Sequence, residues 1–295
     1  LRDTLPGAAG LSERLLGFSA RRTLPAWRRD SFLRDCDAAD TGEDADVVLF
    51  VDTFTNYFEP ENARAAVAVL RAGGYRVHVA RARADDAHPG RPLCCGRTWL
   101  TAGLVDEARA EARRVVAALA PRVARGAAIV GLEPSCLLSL RDEFLVLGLG
   151  DEARRLADNA FLIEEFLARE HRAGRLDLPL APLPETRALL HGHCHQKAFD
   201  AMGAVRETLA LIPNLAVDVV EASCCGMAGS FGYEAAHHDL SLRMAEQALL
   251  PAVRAAAPDT LIVADGTSCR HQIADGTRDG GRRAAVHVVR VLEGS

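Results

Sequence analysis

The sequence lacks the features of a membrane-spanning, secreted or nucleic-acid-binding protein. No apolar run reaches the roughly 18 residues that a membrane-spanning helix needs. The start, Leu1-Arg2-Asp3-Thr4, has no initiator methionine and no signal-peptide pattern, which is typical of a piece of a longer chain or a processed product. The net charge of −5 gives no reason to expect a nucleic-acid or anionic-membrane partner. We expect a cytoplasmic protein, with peripheral attachment to the inner membrane face as the second option.

A disulfide framework and a pair of Cys-x-x-Cys zinc knuckles are also missing. The chain has eight cysteines among 295 residues, 49% of which are hydrophobic, so it can bury cores without covalent links. Without an export signal, thiols in a chain of this size are expected to stay reduced. No two cysteines are spaced as Cys-x-x-Cys. The cysteines therefore need another explanation.

Seven of the eight cysteines follow one pattern that occurs twice. Its copies are Cys94-Cys95-Gly96 with Cys136, and Cys224-Cys225-Gly226 with Cys269. The two pairs are 130 positions apart, and the two distant partners are 133 positions apart. The second copy has one more thiol, Cys194, which aligns with Thr53 in the first to within one residue. A duplication followed by the loss of one ligand is the simplest account.

The second copy supplies the ligand set of a metal cluster. Its four thiols, Cys194, Cys224, Cys225 and Cys269, suit either an iron–sulfur cluster or structural zinc. Adjacent cysteines on extended backbone diverge, so they reach two irons of one cluster more readily than one small ion. We therefore favour an iron–sulfur cluster over zinc and over a catalytic or structural dithiol.

The first copy supplies only three thiols, Cys94, Cys95 and Cys136. Cys36, Asp52, His88 or an external group could complete this set, and the alternative is a vestigial site that holds nothing. Around the second copy lie groups that we expect to support a cluster without binding it directly: His193, His195, Lys197, Arg270 and His271. The two cations would stabilise an anionic cluster and raise its potential.

Strands and helices are predicted to alternate in both halves, which favours an α/β fold with right-handed crossovers. We predict two tandem pseudo-symmetric repeats, each a small, mainly parallel sheet flanked by helices, with cysteines on loops at the carboxyl edge of the strands. The predicted organisation is a linker with short helices over 1–45, a first repeat over 46–178 and a second over 185–295. Continuous helices are predicted over 197–211, 236–257 and 284–292, and a helix pair over 151–175.

These motifs resemble the cysteine-rich CCG domain, which occurs in tandem in a subunit of heterodisulfide reductase, in glycolate oxidase iron–sulfur subunits and in a subunit of anaerobic glycerol-3-phosphate dehydrogenase. The likeness is strongest to the carboxyl-terminal iron–sulfur part of FAD-linked D-2-hydroxyacid dehydrogenases of the D-lactate and D-2-hydroxyglutarate type. It is carried by residues 51–62, 92–97, 132–136, 191–197, 224–232 and 265–270.

The resemblance implies a [4Fe–4S]-type centre and electron passage from FAD on a separate domain or subunit to a quinone or other carrier. It makes the chain an oxidoreductase component that is not catalytic alone, because a flavin-binding domain is not apparent. The reductase-type members end each motif in Cys-x-x-Cys, whereas this chain has single cysteines there, as oxidase-type members do. A heterodisulfide-reductase-like thiol–disulfide enzyme and a zinc-stabilised interaction domain are the alternatives.

Overall fold

A computed structural model describes residue 3 and residues 5–36, 45–278 and 281–295. The acidic residues 37–44, which belong to the predicted linker, lie outside the described residues. Within these described ranges, eight short strands form two sheets of four, and every pairing between them is parallel. The strands are β1 Val47–Phe50, β2 Val77–Val79, β3 Ala128–Gly131, β4 Ala160–Leu162, β5 Arg187–Leu190, β6 Ala216–Val219, β7 Leu261–Val263 and β8 Ala285–Val286.

The two sheets have the same topology. Their strand orders are β2-β1-β3-β4 and β6-β5-β7-β8. In each sheet the first strand along the chain lies inside, between the second and the third. The predicted fold of two repeats with parallel sheets is therefore confirmed.

Helices connect the strands, as parallel pairing requires. The described residues contain α1 Ala8–Leu16, α2 Phe32–Asp35, α3 Thr53–Tyr57, α4 Pro60–Ala72, α5 Arg97–Thr101, α6 Val105–Val123, α7 Pro134–Leu137, α8 Glu143–Val146, α9 Gly150–Asp158, α10 Ile163–Arg172, α11 Cys194–Ala198, α12 Met202–Leu209, α13 His238–Glu246, α14 Leu249–Ala255, α15 Thr267–Gly276 and α16 Val288–Glu293.

The first sheet shows how the sequence directs the fold. All four residues of β1 and all four of β3 are buried, as expected for strands covered on both faces. After β1, α4 begins at Pro60, where the missing N–H of proline costs nothing, and it ends before Gly73. Leu119 on α6 and Phe144 on α8 belong to the same buried cluster as Phe50 of β1.

The fourth strand of each sheet differs from the sequence prediction. β4 interrupts the helix pair predicted over 151–175, and β8 occupies the start of the helix predicted over 284–292. These strands have three and two residues, too few to show an alternating or continuous apolar pattern. Their backbones become strands because β3 and β7 offer a free edge for pairing.

The predicted helices over 197–211 and 236–257 are each broken. Asp200 between α11 and α12 has a φ of 55°, a left-handed conformation that helices do not continue. Between α13 and α14, Ala248 leaves the helical region with φ −154° and ψ −45°. Both breaks shorten the helices without moving their apolar faces from the core.

The chain divides into two compact units, each with one sheet. The unit with the first sheet comprises residues 27–182, 199–213 and 288–295, and the unit with the second comprises residues 1–26, 183–198 and 214–287. Within the first unit, α16 packs on α4, and α12 packs on α10. The units are defined by which residues contact one another and not by the internal repeat. The repeat boundaries at 46–178 and 185–295 therefore stay predictions.

Candidate metal centre

The four cysteines of the second repeat lie at the carboxyl edge of its sheet. Cys194 opens α11 after β5, Cys224 and Cys225 follow β6, and Cys269 is the third residue of α15 after β7. In a parallel sheet the loops after the strands gather at this edge. Three loops that are distant in sequence therefore bring four sulfurs to one place.

The four thiols form a continuous chain of contacts in the order Cys194, Cys224, Cys225, Cys269. Hydrogen bonds from Cys194 and Cys225 hold the pKa of Cys224 well below its usual value. A hydrogen bond from Cys225 lowers the pKa of Cys269 in the same way, and the imidazoles of His191 and His193 act in that direction. The pKa values of the donors, Cys194 and Cys225, are raised by these contacts. These contacts favour the thiolate form of Cys224 and Cys269, the form in which cysteine binds metal.

The glycine of each Cys-Cys-Gly motif makes a tight turn against a helix. Gly226 has φ +87°, and a Cβ there would lie 2.2 Å from the backbone oxygen of Ser241 on α13. Gly96 has φ +78°, and its Cβ would lie 3.0 Å from the backbone oxygen of Ala108 on α6. The backbone N–H of each glycine donates to the sulfur of the first cysteine of its motif, and Gly226 N lies 3.3 Å from Cys224 Sγ. The glycines therefore seat both cysteine loops on their following helices.

Two of the predicted supporting histidines flank Cys194. The rings of His193 and His195 stack with centroids 5.1 Å apart, and their Nδ1 atoms lie 3.9 and 3.8 Å from Cys194 Sγ. His193 is buried because Gly266 leaves room for it: a Cβ on Gly266 would lie 2.4 Å from the His193 ring.

The predicted cations and His271 hold the cysteine loops in place. Lys197, the single lysine of the chain, donates to the carbonyl oxygens of Ala222 and Ser223 just before Cys224. Arg270 is buried and donates to the carbonyl oxygens of Ala264 and Asp265, at distances of 2.8 and 2.7 Å. His271 Nδ1 lies 2.5 Å from the hydroxyl of Tyr233. All three contact backbone or aromatic groups of the loops that carry the thiols.

Sequence reasoning missed a buried polar bridge under the site. The backbone N–H of His193 donates to Gln196 Oε1 at 2.9 Å, and Gln196 Nε2 donates to Asp265 Oδ2 at 2.8 Å. Gln196 and Asp265 are fully buried. Their nearness to the cysteines in the sequence could have indicated this role, since Gln196 lies two residues after Cys194 and Asp265 lies four residues before Cys269. The bridge fixes the Cys194 turn to the strand end before Cys269.

Arg22 was also missed, because its segment was predicted to be a linker. It is 2% exposed and donates to the carbonyl oxygen of Gly232 at 2.8 Å and to Ser241 Oγ at 2.9 Å. A backbone bridge pairs Phe18 with Glu234 nearby. The amino-terminal segment is therefore part of the support of the Cys224-Cys225-Gly226 loop.

His191 is the fourth residue that sequence reasoning missed, because it was predicted to end a strand. Among the described residues, two groups have three ligand atoms within 4.8 Å of one another: His191 with Cys225 and Cys269, and His193 with Cys194 and His195. Both groups lie at the second repeat. Their soft sulfur and imidazole donors suit zinc or iron better than a hard cation.

The first repeat has a similar chain of contacts, but its thiols have raised pKa values. Thr53 is the first residue of α3, as Cys194 is of α11, and it hydrogen-bonds to Cys94. Cys94 contacts Cys95, and Cys95 contacts Cys136. The contact with Cys95 raises the pKa of Cys94, and the contact with Cys136 raises that of Cys95. Although a hydrogen bond from Cys95 favours its thiolate, burial and the carboxylates of Asp52 and Glu133 raise the pKa of Cys136 to about 11.

Two buried carboxyl groups distinguish this first site. Asp52 and Glu133 are 2% and 4% exposed, and each caps the short helix that follows its strand. Burial and the charge of Glu133 raise the pKa of Asp52 to about 6. The corresponding positions before α11 and α15 hold His193 and Gly266. Negative charge beside Cys136 disfavours the thiolate that a metal needs.

The other candidates for completing the first site have their own surroundings. Cys36 is buried and accepts a hydrogen bond from Arg81, whose Nη2 lies 3.1 Å from its sulfur. His88 is exposed, and its carbonyl oxygen accepts from Arg114. Asp52 is close enough to influence Cys136 electrostatically. That any of the seven repeat cysteines binds a metal stays a prediction.

The difference in thiol pKa predicts different alkylation rates at Cys94 and Cys224, which are partly exposed to a similar degree. In reduced, metal-free protein, iodoacetamide should label Cys224 at a rate that is flat from about pH 5 to 8, because its thiolate is already formed. The rate at Cys94 should rise by about tenfold per pH unit, because its raised pKa leaves little thiolate. Peptide mass spectrometry measures both, and parallel pH profiles would contradict the assignment.

Comparison with known proteins supports the resemblance seen in the motifs. Residues 188–274 match the family described as CCG, cysteine-rich domain, which confirms the predicted domain type for the second repeat. The described residues contain no helix that is long and apolar enough to cross a membrane.

The chain is also similar to three dehydrogenase proteins over most of its length. It is 28% identical to a subunit of the anaerobic glycerol-3-phosphate dehydrogenase of Escherichia coli K12, over 89% of this chain and 64% of that protein. It is 26% identical to D-2-hydroxyglutarate dehydrogenase of the same organism, over 77% of this chain and 21% of that protein. The Pseudomonas putida D-2-hydroxyglutarate dehydrogenase is 27% identical, with 77% and 20% covered. The chain thus spans less than two thirds of each relative.

Proposed function

We propose that the chain is the iron–sulfur electron-transfer module of a flavin-dependent D-2-hydroxyacid oxidoreductase. Its second repeat holds a [4Fe–4S]-type cluster on Cys194, Cys224, Cys225 and Cys269. Such a cluster accepts and releases single electrons, while the oxidation of the hydroxyacid takes place at FAD on a separate domain or subunit. Electrons leave to a quinone or another carrier.

The observation that carries this proposal is the contact chain of four thiols at one sheet edge. The four thiols come from three loops: Cys194 follows β5, Cys224 and Cys225 follow β6, and Cys269 follows β7. Cys194 is exposed, whereas Cys225 and Cys269 are buried. One side of the site is therefore open to a partner, and the other is shielded from water.

Supporting contacts surround this ligand set. Arg270 and Arg22 place buried guanidinium groups on the loops that carry Cys269 and Cys225, which offsets the negative charge of bound thiolates. The names of the relatives, all dehydrogenases or dehydrogenase subunits, agree with an electron-transfer role. The single cysteine that ends each motif argues against the reduction of disulfides.

Metal analysis of protein purified without oxygen tests the proposal. Iron and acid-labile sulfide in similar amounts, with a broad visible band that dithionite bleaches, are the expected result. Zinc without sulfide would favour a structural zinc domain instead. The chain alone should not oxidise D-lactate, D-2-hydroxyglutarate or glycolate. With a matching flavin domain, substrate should bleach the band near the rate of flavin turnover, and an unchanged band during turnover would overturn the relay.

A further inference from the structure

We infer that His191 is a direct ligand of the metal centre in the second repeat, so that the centre has mixed imidazole and thiolate ligation. This inference rests on the proposed function, since it concerns the same site. It adds a fifth donor, a nitrogen, to the four cysteines that the motif provides, so one iron would bind both the imidazole and a cysteine thiolate. The geometry that carries it is the group formed by His191, Cys225 and Cys269.

The ligand atoms of these three residues lie within 4.8 Å of one another, and all three side chains are buried. They come from three neighbouring strands of one sheet, since His191 follows β5, Cys225 follows β6 and Cys269 follows β7. An imidazole nitrogen and two thiolates at these separations can bind one metal ion or two irons of one cluster. The site therefore has an inner nitrogen donor as well as sulfur donors.

The second observation is that the ring nitrogens of His191 have nothing to bind outside the thiol site. The side chain is 1% exposed, and among the described residues no group other than the Cys269 thiol hydrogen-bonds to its ring nitrogens. The group that the imidazole does influence is the Cys269 thiol, a member of the same site. A buried polar atom without a full set of partners destabilises the folded protein. A metal at the sulfur cluster would satisfy one nitrogen directly.

The neighbouring histidines are in a different situation. His193 Nδ1 accepts a hydrogen bond from the backbone N–H of His195 at 3.1 Å, and the two rings stack. His271 is bonded to the Tyr233 hydroxyl. Of these residues, His191 alone combines full burial and proximity to two cysteines with ring nitrogens that have no partner outside the thiol site.

The first repeat provides a natural comparison. The residue directly after β1 is Val51, which is 3% exposed, whereas the residue directly after β5 is His191. A valine cannot bind metal but fills similar space. The two sites thus differ at four matched positions, since Val51, Asp52, Thr53 and Glu133 stand where the second repeat has His191, His193, Cys194 and Gly266. These replacements remove two ligands from the first site and add two carboxylates.

An imidazole ligand has a measurable consequence for the cluster. Neutral histidine in place of anionic cysteine raises the potential of iron–sulfur centres, as Rieske centres illustrate. A cluster that includes His191 should therefore have a higher potential than the same cluster with cysteine at that position. It should also show hyperfine coupling from a directly bound nitrogen.

The test is pulsed electron paramagnetic resonance on the dithionite-reduced chain, grown with natural and with ¹⁵N-labelled histidine. The wild-type cluster should show a strong nitrogen coupling that changes with the label. His191→Cys should keep iron, lose the coupling and lower the midpoint potential. His191→Val, which copies the first repeat, should bind metal about 10–100-fold more weakly, as even loss of a supporting partner does. The control His193→Gln should keep the coupling.

Several results would overturn the inference. A wild-type cluster without strong nitrogen coupling would exclude the imidazole ligand while leaving the iron–sulfur proposal intact. The same follows if His191→Cys keeps the coupling, or if the coupling disappears in His193→Gln instead. Wild-type protein without iron would overturn the proposed function, and the inference with it.

Discussion

Replacing Cys224 with serine should remove most of the iron from anaerobically prepared protein, whereas Cys94→Ser should remove much less. The two residues hold equivalent positions in their repeats, with the same turn and the same glycine amide against the sulfur. Cys224 belongs to a set of four thiols in which hydrogen bonds lower the pKa values of two, whereas Cys94 belongs to a set of three with raised pKa values. We expect Cys224→Ser to weaken metal binding by more than about 10–100-fold, since it removes a ligand outright.

Iron and sulfide per chain, with the intensity of the visible band, measure this difference. Cys194→Ser should behave like Cys224→Ser, and Cys36→Ser is the control because Cys36 bonds to Arg81 outside the repeat pattern. Equal iron loss from Cys94→Ser and Cys224→Ser would show that the first repeat holds a centre of similar integrity. It would also contradict the electrostatic argument based on Asp52 and Glu133.

Gly226→Ala should destabilise the second-repeat unit by about 2–5 kcal/mol even without metal. A side chain at φ +87° costs about 1–2 kcal/mol, and the new Cβ would collide with backbone at 2.2 Å, which adds an overpacking cost of about 1–3 kcal/mol. The backbone of α13 cannot move without disturbing Arg22 and Gln272, which bond to Ser241. Hydrogen exchange in residues 238–246 of the metal-free protein measures the opening free energy.

Gly229→Ala separates the two causes. Gly229 has a φ of +67° in the same loop, but no atom lies within 4 Å of its would-be Cβ. It should therefore lose only about 1–2 kcal/mol, the conformational cost. Similar losses in both variants would show that α13 moves to make room for the new Cβ. Gly226 would then be required only for its positive φ.

Much of the site could be predicted from the sequence because its pattern is repeated. Strand, Cys-Cys-Gly, helix, strand and Cys recur in both halves, and the rule that loops gather at one edge of a parallel sheet converts this order into proximity. The loss of a cysteine at Thr53 was visible in the alignment, and the structure places Thr53 against Cys94 at the first position of α3. The pattern predicts where the thiols lie, but it does not establish which metal or cluster they bind.

The missed residues share a property: each acts through a partner far along the chain. Arg22 contacts Gly232 and Ser241, more than 200 positions away, and no local period marks it as buried. Asp265 and Gln196 stabilise each other across 69 positions. In the sequence His191 looks like the last residue of a strand, because it directly follows the apolar run of β5.

The sequence by itself determined the class of fold, the internal repeat and the candidate thiols, since these depend on local hydrophobic runs, turn glycines and cysteine spacing. Only the tertiary structure decided the electrostatic difference between the two sites and the place of His191. Thiol pKa values depend on charges and hydrogen bonds within a few ångströms, such as those of Asp52 and Glu133 on Cys136. Those neighbours come from different strands, and the sheet alone brings them together.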